Sequence, residues 1–131
     1  MSNQFSVTET FIQNDDLLCV SLGFVSQENP LDILHIVSGV YLSETTPKPL
    51  EDCLYFERTD QRLSCSGEAI SIEIGDLMIR IRFTELGARS LGFSKMVEFY
   101  FAGKSDLFQS VVQILDKMSA IGHREIVRKL Q

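Results

Sequence analysis

Hydrophobic and polar residues alternate with period two over residues 69–83, which is the clearest pattern in the chain. Two alternating runs, 69–74 and 77–83, are separated by Gly75-Asp76, a pair that suits a type II′ turn. The pattern predicts an antiparallel hairpin with one buried face and one face in water, where Glu73 is diagonal to Arg80. Three apolar pairs then face each other on the buried side: Ile74 with Leu77, Ile72 with Ile79, and Ile70 with Ile81.

Other segments have strand character in the same sense, namely 5–12, 17–25, 53–57 and 95–101. Asn14-Asp15-Asp16 predicts a hairpin loop between the first two of them.

Residues 31–42 are ambiguous. The preceding Asn29-Pro30 is typical of a helix start, whereas the β-branched Ile36, Val37 and Val40 favour a strand. We favour the strand. Residues 43–52 are polar, contain two prolines, and predict a surface loop.

The main predicted helix spans residues 105–119. Ser105 can cap it, and Asp106 suits the positive end of the helix dipole. One half of its helical wheel is apolar, and this half carries Leu107, Phe108, Val111, Val112, Ile114, Leu115 and Met118. Gly122 follows at a position typical of a helix end, and residues 123–130 predict a short second helix.

These elements predict a single α+β domain over residues 1–131. An antiparallel sheet of about six strands is expected to carry the C-terminal amphipathic helix and the short second helix on one face. The chain has 131 residues, of which 44% are hydrophobic and 23% charged, so it can bury a modest core and has an ordinary globular composition.

Charge is divided unevenly along the sequence. Residues 1–76 contain thirteen acidic and three basic residues, a net charge of −10, whereas residues 77–131 contain five acidic and nine basic residues, a net charge of +4. The sum is the formal charge of −6 for the whole chain. An acidic half with few local cations projects a negative potential, which attracts a basic partner and disfavours nucleic acid and anionic membranes.

The residues that usually carry catalysis or bind cofactors are sparse. His35 and His123 have no second histidine or cysteine at ligand spacing, and the three cysteines Cys19, Cys53 and Cys65 match no zinc or disulfide pattern. Glycine-rich phosphate loops and long apolar segments are absent from the sequence. We therefore expect no enzyme activity, cofactor or metal, and a reduced, cytoplasmic setting.

Residues 54–72 read Leu-Tyr-Phe-Glu-Arg-Thr-Asp-Gln-Arg-Leu-Ser-Cys-Ser-Gly-Glu-Ala-Ile-Ser-Ile. A strand that ends in Glu57 is followed by Asp60-Gln61, a Ser/Gly loop and the isoleucine hairpin. This arrangement resembles the immunity protein 10 family of bacterial polymorphic toxin systems. The likeness extends from the 17–25 strand to the 105–119 helix. It departs from the family pattern at Thr59 and Cys65, where that pattern has an acidic residue and an aromatic.

The resemblance implies a protein that neutralises a cognate toxin by stoichiometric binding. A toxin that acts on nucleic acid needs a basic active-site surface, to which an acidic inhibitor is complementary. The expected contacts are the acidic residues of three loop regions, together with one amide: Asp15, Asp16, Glu44, Glu51, Asp52, Glu57, Asp60 and Gln61. Asp60 has a structural alternative, which is to cap a turn by accepting backbone N–H bonds.

Three alternatives differ in what they require. A type III secretion chaperone is also small and acidic, but typically begins with a helix and dimerises, whereas residues 5–12 here predict a strand. An enzyme or small-ligand module needs a concave pocket with convergent polar groups. A DNA mimic needs rows of carboxylates at phosphate-like spacing.

Overall fold

The computed structural model describes residues 2–26, 31–39 and 53–128. In these ranges the chain forms strands and two helices in an α+β arrangement. The elements are β1 (Ser2–Asn14), β2 (Leu17–Phe24), β3 (Asp32–Gly39), β4 (Tyr55–Arg58), β5 (Asp60–Ser66), β6 (Ala69–Ile74), β7 (Met78–Phe83), α1 (Glu85–Leu91), β8 (Met96–Tyr100), α2 (Ser105–Ala120) and β9 (Ile126–Arg128).

One long strand joins two halves of the sheet. The strand order is β5-β4-β3-β2-β1-β8-β7-β6-β9. Residues 2–6 of β1 pair with β8, and the remainder, from Val7 to Asn14, pairs with β2, with a β-bulge between Val7 and Glu9. We call β2–β5 with the second part of β1 the N-terminal wing, and β6–β9 with the first part of β1 the C-terminal wing.

The two wings fold onto each other around an apolar core. Phe56 of β4 and Phe83 of β7 are separated in the sheet by four strands, yet their ring centroids lie 5.2 Å apart. Phe24, Phe93 and Phe99 continue this aromatic contact into the centre of the molecule. Helix α2 contributes its buried apolar side to the same core: Phe108, Val111, Val112, Ile114, Leu115 and Met118.

The predicted α+β class is confirmed, but the predicted sheet is wrong in size and direction. Nine strands form a mixed sheet, because β1 pairs with β8 and β6 pairs with β9 in parallel. Residues 60–66, interpreted as an Asp-Gln pair followed by a Ser/Gly loop, form strand β5. Strand β5 contains serines and does not alternate apolar and polar residues, which is the pattern that predicted the other strands. Its local sequence therefore did not indicate that it pairs with β4.

The predicted hairpin exists with a register two residues away from the expected one. Ile74 pairs with Ile79 and Ile72 with Ile81, because the turn is formed by Asp76-Leu77 instead of Gly75-Asp76: Gly75 N donates to Met78 O at 2.9 Å, and Leu77 adopts a left-handed φ of 53°. A shift of two residues leaves these isoleucines on the buried face. Ile70 is 60% exposed instead, because a bulge between Ala69 and Ser71 turns it outward.

Helix α2 confirms the prediction for residues 105–119, although its cap differs. Lys104 occupies the N-cap position without a side-chain hydrogen bond, and Ser105 is the first helical residue. The predicted second helix over 123–130 is wrong where the structure describes it. Ile126–Arg128 is strand β9, which pairs with β6 and extends a ladder begun by the bond from Ile72 N to Glu125 O.

Strand β3 confirms the strand interpretation of residues 32–39, whereas 40–42 and the predicted loop 43–52 lie outside the described residues. Helix α1 was missed, although its ends carry ordinary signals. Thr84 Oγ1 accepts the Gly87 N–H at the start, and Gly92 ends the helix with a φ of 70°. With only seven residues it is too short for a periodic pattern.

A buried ion pair ties the N-terminal wing to α1. The guanidinium of Arg58 donates from Nε and Nη2 to the carboxylate of Asp32, with an Nη2–Oδ2 distance of 2.8 Å. Its Nη1 donates to the carbonyls of Leu91 and Gly92 at 2.9 and 3.0 Å, at the negative end of α1. The guanidinium also lies 4.2 Å from the ring centroid of Phe93.

The carboxylate of Asp32 is fully engaged. Ser26 and Thr59 donate hydroxyl hydrogen bonds to it, and it accepts the backbone N–H of Ile33. Burial alone would raise the pKa of Asp32, but the hydrogen bonds from Arg58, Thr59 and Ser26 outweigh it and lower the pKa below its ordinary value. The folded protein therefore favours the ionised form of Asp32.

Replacing Arg58 by methionine is expected to lower the free energy of unfolding by about 3–5 kcal/mol, because it leaves the Asp32 carboxylate buried without its counter-charge. Urea titration followed by circular dichroism measures the change. The matched control is Arg128→Met, which removes a 2.7 Å pair with Asp116 whose side chains are 58% and 50% exposed. That control should cost less than about 1 kcal/mol, and equal losses in the two variants would contradict the prediction.

A second buried polar contact joins β3 to the segment between α2 and β9. The imidazole Nε2 of His123 lies 2.8 Å from Ser38 Oγ, and the histidine is 2% exposed. Burial lowers the pKa of His123, and the smaller effect of Glu125 in the opposite direction does not compensate. The folded protein therefore favours the neutral imidazole.

Stability should consequently fall as the pH decreases from about 7.5 to about 5.5, because the unfolded chain binds the His123 proton more readily than the folded one. The limit for one proton is about 1.4 kcal/mol per pH unit. His123→Gln should flatten this slope, whatever its stability at pH 7.5, and urea titrations at several pH values measure it. The stabilisation by ionised Asp32 is lost only below about pH 4, so Asp32 does not contribute to the slope between pH 7.5 and 5.5. Parallel profiles for the two proteins would contradict the assignment.

Candidate protein-binding surface

The outward side of the N-terminal wing is an open sheet surface, which we call the N-wing face. The buried residues of α2 and the guanidinium of Arg58 all lie on the opposite, inward side. Strand register places the outward side chains in three rows: Gln13, Cys19, Val37, Tyr55 and Ser66; Phe11, Ser21, His35, Glu57 and Ser64; and Glu9, Gly23, Ile33 and Thr59.

The N-wing face carries aromatic and apolar side chains. Phe11 on β1 is 58% exposed, and His35 and Val37 on β3 and Tyr55 on β4 are half-buried. Aromatic side chains are enriched at the centres of protein–protein interfaces because they bury a large area and lose little conformational entropy. A face that combines an exposed phenylalanine with such side chains is a candidate surface for binding a protein.

The predicted contact residue Glu57 lies on this face. Its Oε1 accepts a hydrogen bond from the hydroxyl of Tyr55 at 2.7 Å, so its orientation is fixed. The same bond, as the largest effect, raises the pKa of Tyr55. The two side chains form a rigid acidic and aromatic unit.

Asp15 and Asp16 lie in the exposed turn between β1 and β2, as predicted. Asp15 Oδ1 accepts the backbone N–H of Leu17 and the amide of Gln13, both at 3.1 Å. The bond from Leu17, together with that from Gln13, lowers the pKa of Asp15. Asp15 thus stabilises the turn, and Asp16 is the more available of the two for a partner.

Asp60 and Gln61 begin β5 at the opposite end of the wing, where Arg58 pairs with Asp60 across the turn at Thr59. The eight residues of β3 connect the two ends, which are therefore about 20–25 Å apart. Of the predicted acidic residues that the structure describes, Asp15 and Asp16 therefore lie at one end of the wing, Glu57 lies on its outward face, and Asp60 begins β5 at the other end. Glu44, Glu51 and Asp52 lie outside the described residues.

Two features of the face were missed from the sequence. Glu9 lies at the edge of a cleft formed at the bulge of β1, and a bulge leaves no signature in a single sequence. Ser21 and His35 form a second feature, with 2.6 Å between Ser21 Oγ and His35 Nδ1. Alternation on β2 and β3 places both side chains outward, but only the register shows that they are opposite each other.

A serine beside a histidine is also the pairing of a nucleophile and a base, but acyl transfer needs in addition donors for an oxyanion and a pocket for the substrate. Ser21 is 4% exposed and His35 is half-buried, and neither lines the cleft that the described residues form at the β1 bulge. Glu57 pairs with His35 in register, but its carboxylate accepts the Tyr55 hydroxyl.

Cys65 has a different environment from the expected loop. It lies in β5 opposite Phe56 and packs against the core, where burial raises its pKa to about 11. It is therefore a poor nucleophile at neutral pH.

The outward face of the C-terminal wing has its charges paired. Arg80 donates to Glu98 at 2.8 Å and to Glu73 at 3.3 Å, which confirms the expected balance between Glu73 and Arg80 across strands. Gln4 and Tyr100 also donate to Glu98, and the bond from Arg80 contributes most to its lowered pKa. This face presents little uncompensated charge to a partner.

In the folded structure, the boundary between the negatively charged part and the rest therefore differs from the one seen in the sequence. Among the described residues, positions 7–66 hold six acidic and two basic residues, a net charge of −4, whereas positions 67–128 hold eight of each. The second part is neutral, and the negative potential of the described protein belongs to the N-terminal wing.

Within the described ranges, the structure offers neither a cluster of metal ligands nor a helix suited to cross a membrane. No group of three or more histidine, cysteine, aspartate or glutamate residues is placed there to bind a metal ion. In the same ranges, neither helix has the length and apolar character needed to cross a membrane.

Comparison with known proteins adds no family to this description. No family model, no curated protein and no solved structure matches this chain.

Replacing Phe11 by threonine should change the free energy of unfolding by less than about 1 kcal/mol, because the ring is largely exposed and threonine favours strands. The matched control is Phe24→Ala on neighbouring β2, which removes a ring that is 1% exposed and should cost about 3–5 kcal/mol. Urea titration measures both. A large loss in the Phe11 variant would mean that this ring supports the fold.

Proposed function

We propose that this chain is an immunity protein that neutralises a cognate bacterial toxin by direct, stoichiometric binding without catalysis. The observation that carries the proposal is the charge of the N-terminal wing, −4 among its described residues, beside a neutral remainder. The resemblance of residues 54–72 to the immunity protein 10 family supplies the type of partner. The partner is a protein toxin with a basic surface.

The N-wing face supports binding in three respects. It is rigid, because its strands pair continuously from β1 to β5. Eight residues of β3 and the width of five strands give it dimensions of about 25 by 20 Å, of the same order as the roughly 800 Å² that each partner buries in a standard interface. Phe11 on β1 and Tyr55 on β4 supply apolar area on either side of its centre.

Its acidic residues support fast association. Four acidic residues lie on or around the face: Glu9, Asp15, Asp16 and Glu57. Such an arrangement steers a basic partner towards it. Electrostatic steering raises association rates to about 10⁸–10⁹ M⁻¹s⁻¹ at low salt. A fast inhibitor is useful because a toxin acts from the moment it is folded.

Co-expression with toxins encoded in neighbouring genes tests the proposal. A cognate toxin should lose its toxicity and co-purify with the chain, and light scattering should show one copy of each per complex. A dimeric chain that binds a segment of a secreted effector, and no toxin, would instead support the secretion-chaperone alternative. Failure to neutralise or capture any toxin would contradict the immunity function.

Charge reversal tests the surface. Asp16→Lys in the β1–β2 turn should slow association with the toxin about three- to tenfold at low salt, with less effect at high salt, because steering is screened. Stopped-flow or surface plasmon resonance measures the rate. Asp76→Lys is the matched control, because Asp76 is also exposed in a hairpin turn and the same change of charge occurs on the C-terminal wing. Equal effects would show that net charge, and not this face, is responsible.

A further inference from the structure

A cleft opens in the N-wing face where β1 changes partners. The bulge between Val7 and Glu9 leaves space of about 100 Å³, bounded by Thr8, Glu9, Gly23, Leu31 and Ile33. A water molecule occupies roughly 30 Å³ of the liquid, so the cleft admits the end of a long side chain. Bulges recur beside binding sites because they redirect side chains.

The side chain of Glu9 lies over Gly23 at this cleft, and it has room there because Gly23 has no side chain. A Cβ at position 23 would stand 2.8 Å from Glu9 Cγ, which is closer than such contacts allow. Among the described residues, none forms a hydrogen bond or an ion pair with the carboxylate of Glu9. It is therefore an available negative charge held at the cleft.

The other carboxylate of the cleft is already satisfied. Asp32 is 4% exposed and is neutralised by Arg58, with further hydrogen bonds from Ser26 and Thr59. The net charge presented by the cleft is consequently that of Glu9. One carboxylate beside a matched ion pair is a poor metal site but a suitable partner for one organic cation.

Two residues give the cleft apolar walls. Leu31 is 78% exposed and Ile33 is half-buried on the same side of the sheet. An aliphatic chain that ends in a cation can pack along such walls while its charged end reaches a carboxylate. Lysine and arginine have this form.

We propose that the cleft receives the end of a lysine or arginine side chain from a protein partner, with Glu9 as its counter-charge and Leu31 and Ile33 as contacts for its aliphatic part. The inference deepens the proposed function and rests on it for the identity of the partner. It assigns an anchoring position within the N-wing face, which the charge distribution alone does not.

The test uses the whole chain and small probes, so that no toxin is required. N-acetyl-arginine methylamide and its lysine counterpart are titrated into ¹⁵N-labelled protein while amide resonances are followed by NMR. Saturable shifts are expected at Thr8, Glu9, Gly23 and Ile33, with a dissociation constant on the order of millimolar. The stronger of the two probes identifies the preferred side chain. The citrulline derivative, which has the shape of arginine without its charge, should bind at least about fivefold more weakly.

Two variants distinguish the effect of the charge of Glu9 on probe binding from the effect of the position of its carboxylate. Glu9→Gln removes the charge and should weaken binding about fivefold or more. Gly23→Ala keeps the charge but displaces the Glu9 side chain, and should weaken binding about threefold. Gly75→Ala is the control, because a Cβ there meets only an ordinary 3.4 Å contact with Met78, and it should bind as the parent does.

Absence of saturable shifts at the cleft, equal binding of the citrulline probe, or no effect of Glu9→Gln would each overturn the proposal. The outcomes are distinct from those for the proposed function. Probe binding without any toxin partner would leave the cleft assignment intact and contradict the immunity function, whereas toxin neutralisation without probe binding would do the reverse.

Discussion

The ion pair between Asp32 and Arg58, both in the N-terminal wing, holds the guanidinium where it joins that wing to α1. The wings share β1 along one side, and elsewhere they meet through side chains. Arg58 crosses from the end of β4 to the carbonyls that end α1, and its face lies against Phe93 in the aromatic core. A charge buried in this way is tolerable because Arg58 donates both to the Asp32 carboxylate and to two backbone carbonyls. The same pair removes Asp32 from the negative charge of the N-wing face and leaves Glu9 as the available carboxylate nearby.

The distribution of charge follows from this architecture. In the C-terminal wing, Glu73, Arg80 and Glu98 lie on adjacent strands and neutralise one another. In the N-terminal wing the acidic residues lie in turns and on an open face with few cations. The sequence division at residue 76 therefore describes the folded protein poorly. The structural boundary lies near residue 66, and it separates a negatively charged surface from a neutral one.

Local patterns were sufficient for the elements that are regular and long. Alternation identified β6 and β7, and a helical stripe identified α2. What failed depended on distant residues. The three residues of β9 form a strand because β6 offers an open edge, and β5 pairs with β4 through a turn that requires a left-handed φ at Thr59. Likewise, Glu57 could be placed as an outward residue from its strand, whereas the cleft at Glu9 depends on a bulge and on Gly23 of the next strand. Acidic composition indicated the type of partner, and tertiary structure was needed to show which acids share a surface.

The parallel pairing of β1 with β8 also sets the order in which this chain can fold. Residues 2–6 find their partners at residues 96–100, so the ends of this contact are separated by more than ninety positions. During synthesis, β1 can pair with β2 as soon as both leave the ribosome, but its first five residues must wait for most of the chain. Contacts of such long sequence separation slow folding, because a large loop must close before they form. The N-terminal wing, with its local hairpins, is thus able to assemble first, and the N-wing face forms before the rest of the fold is complete.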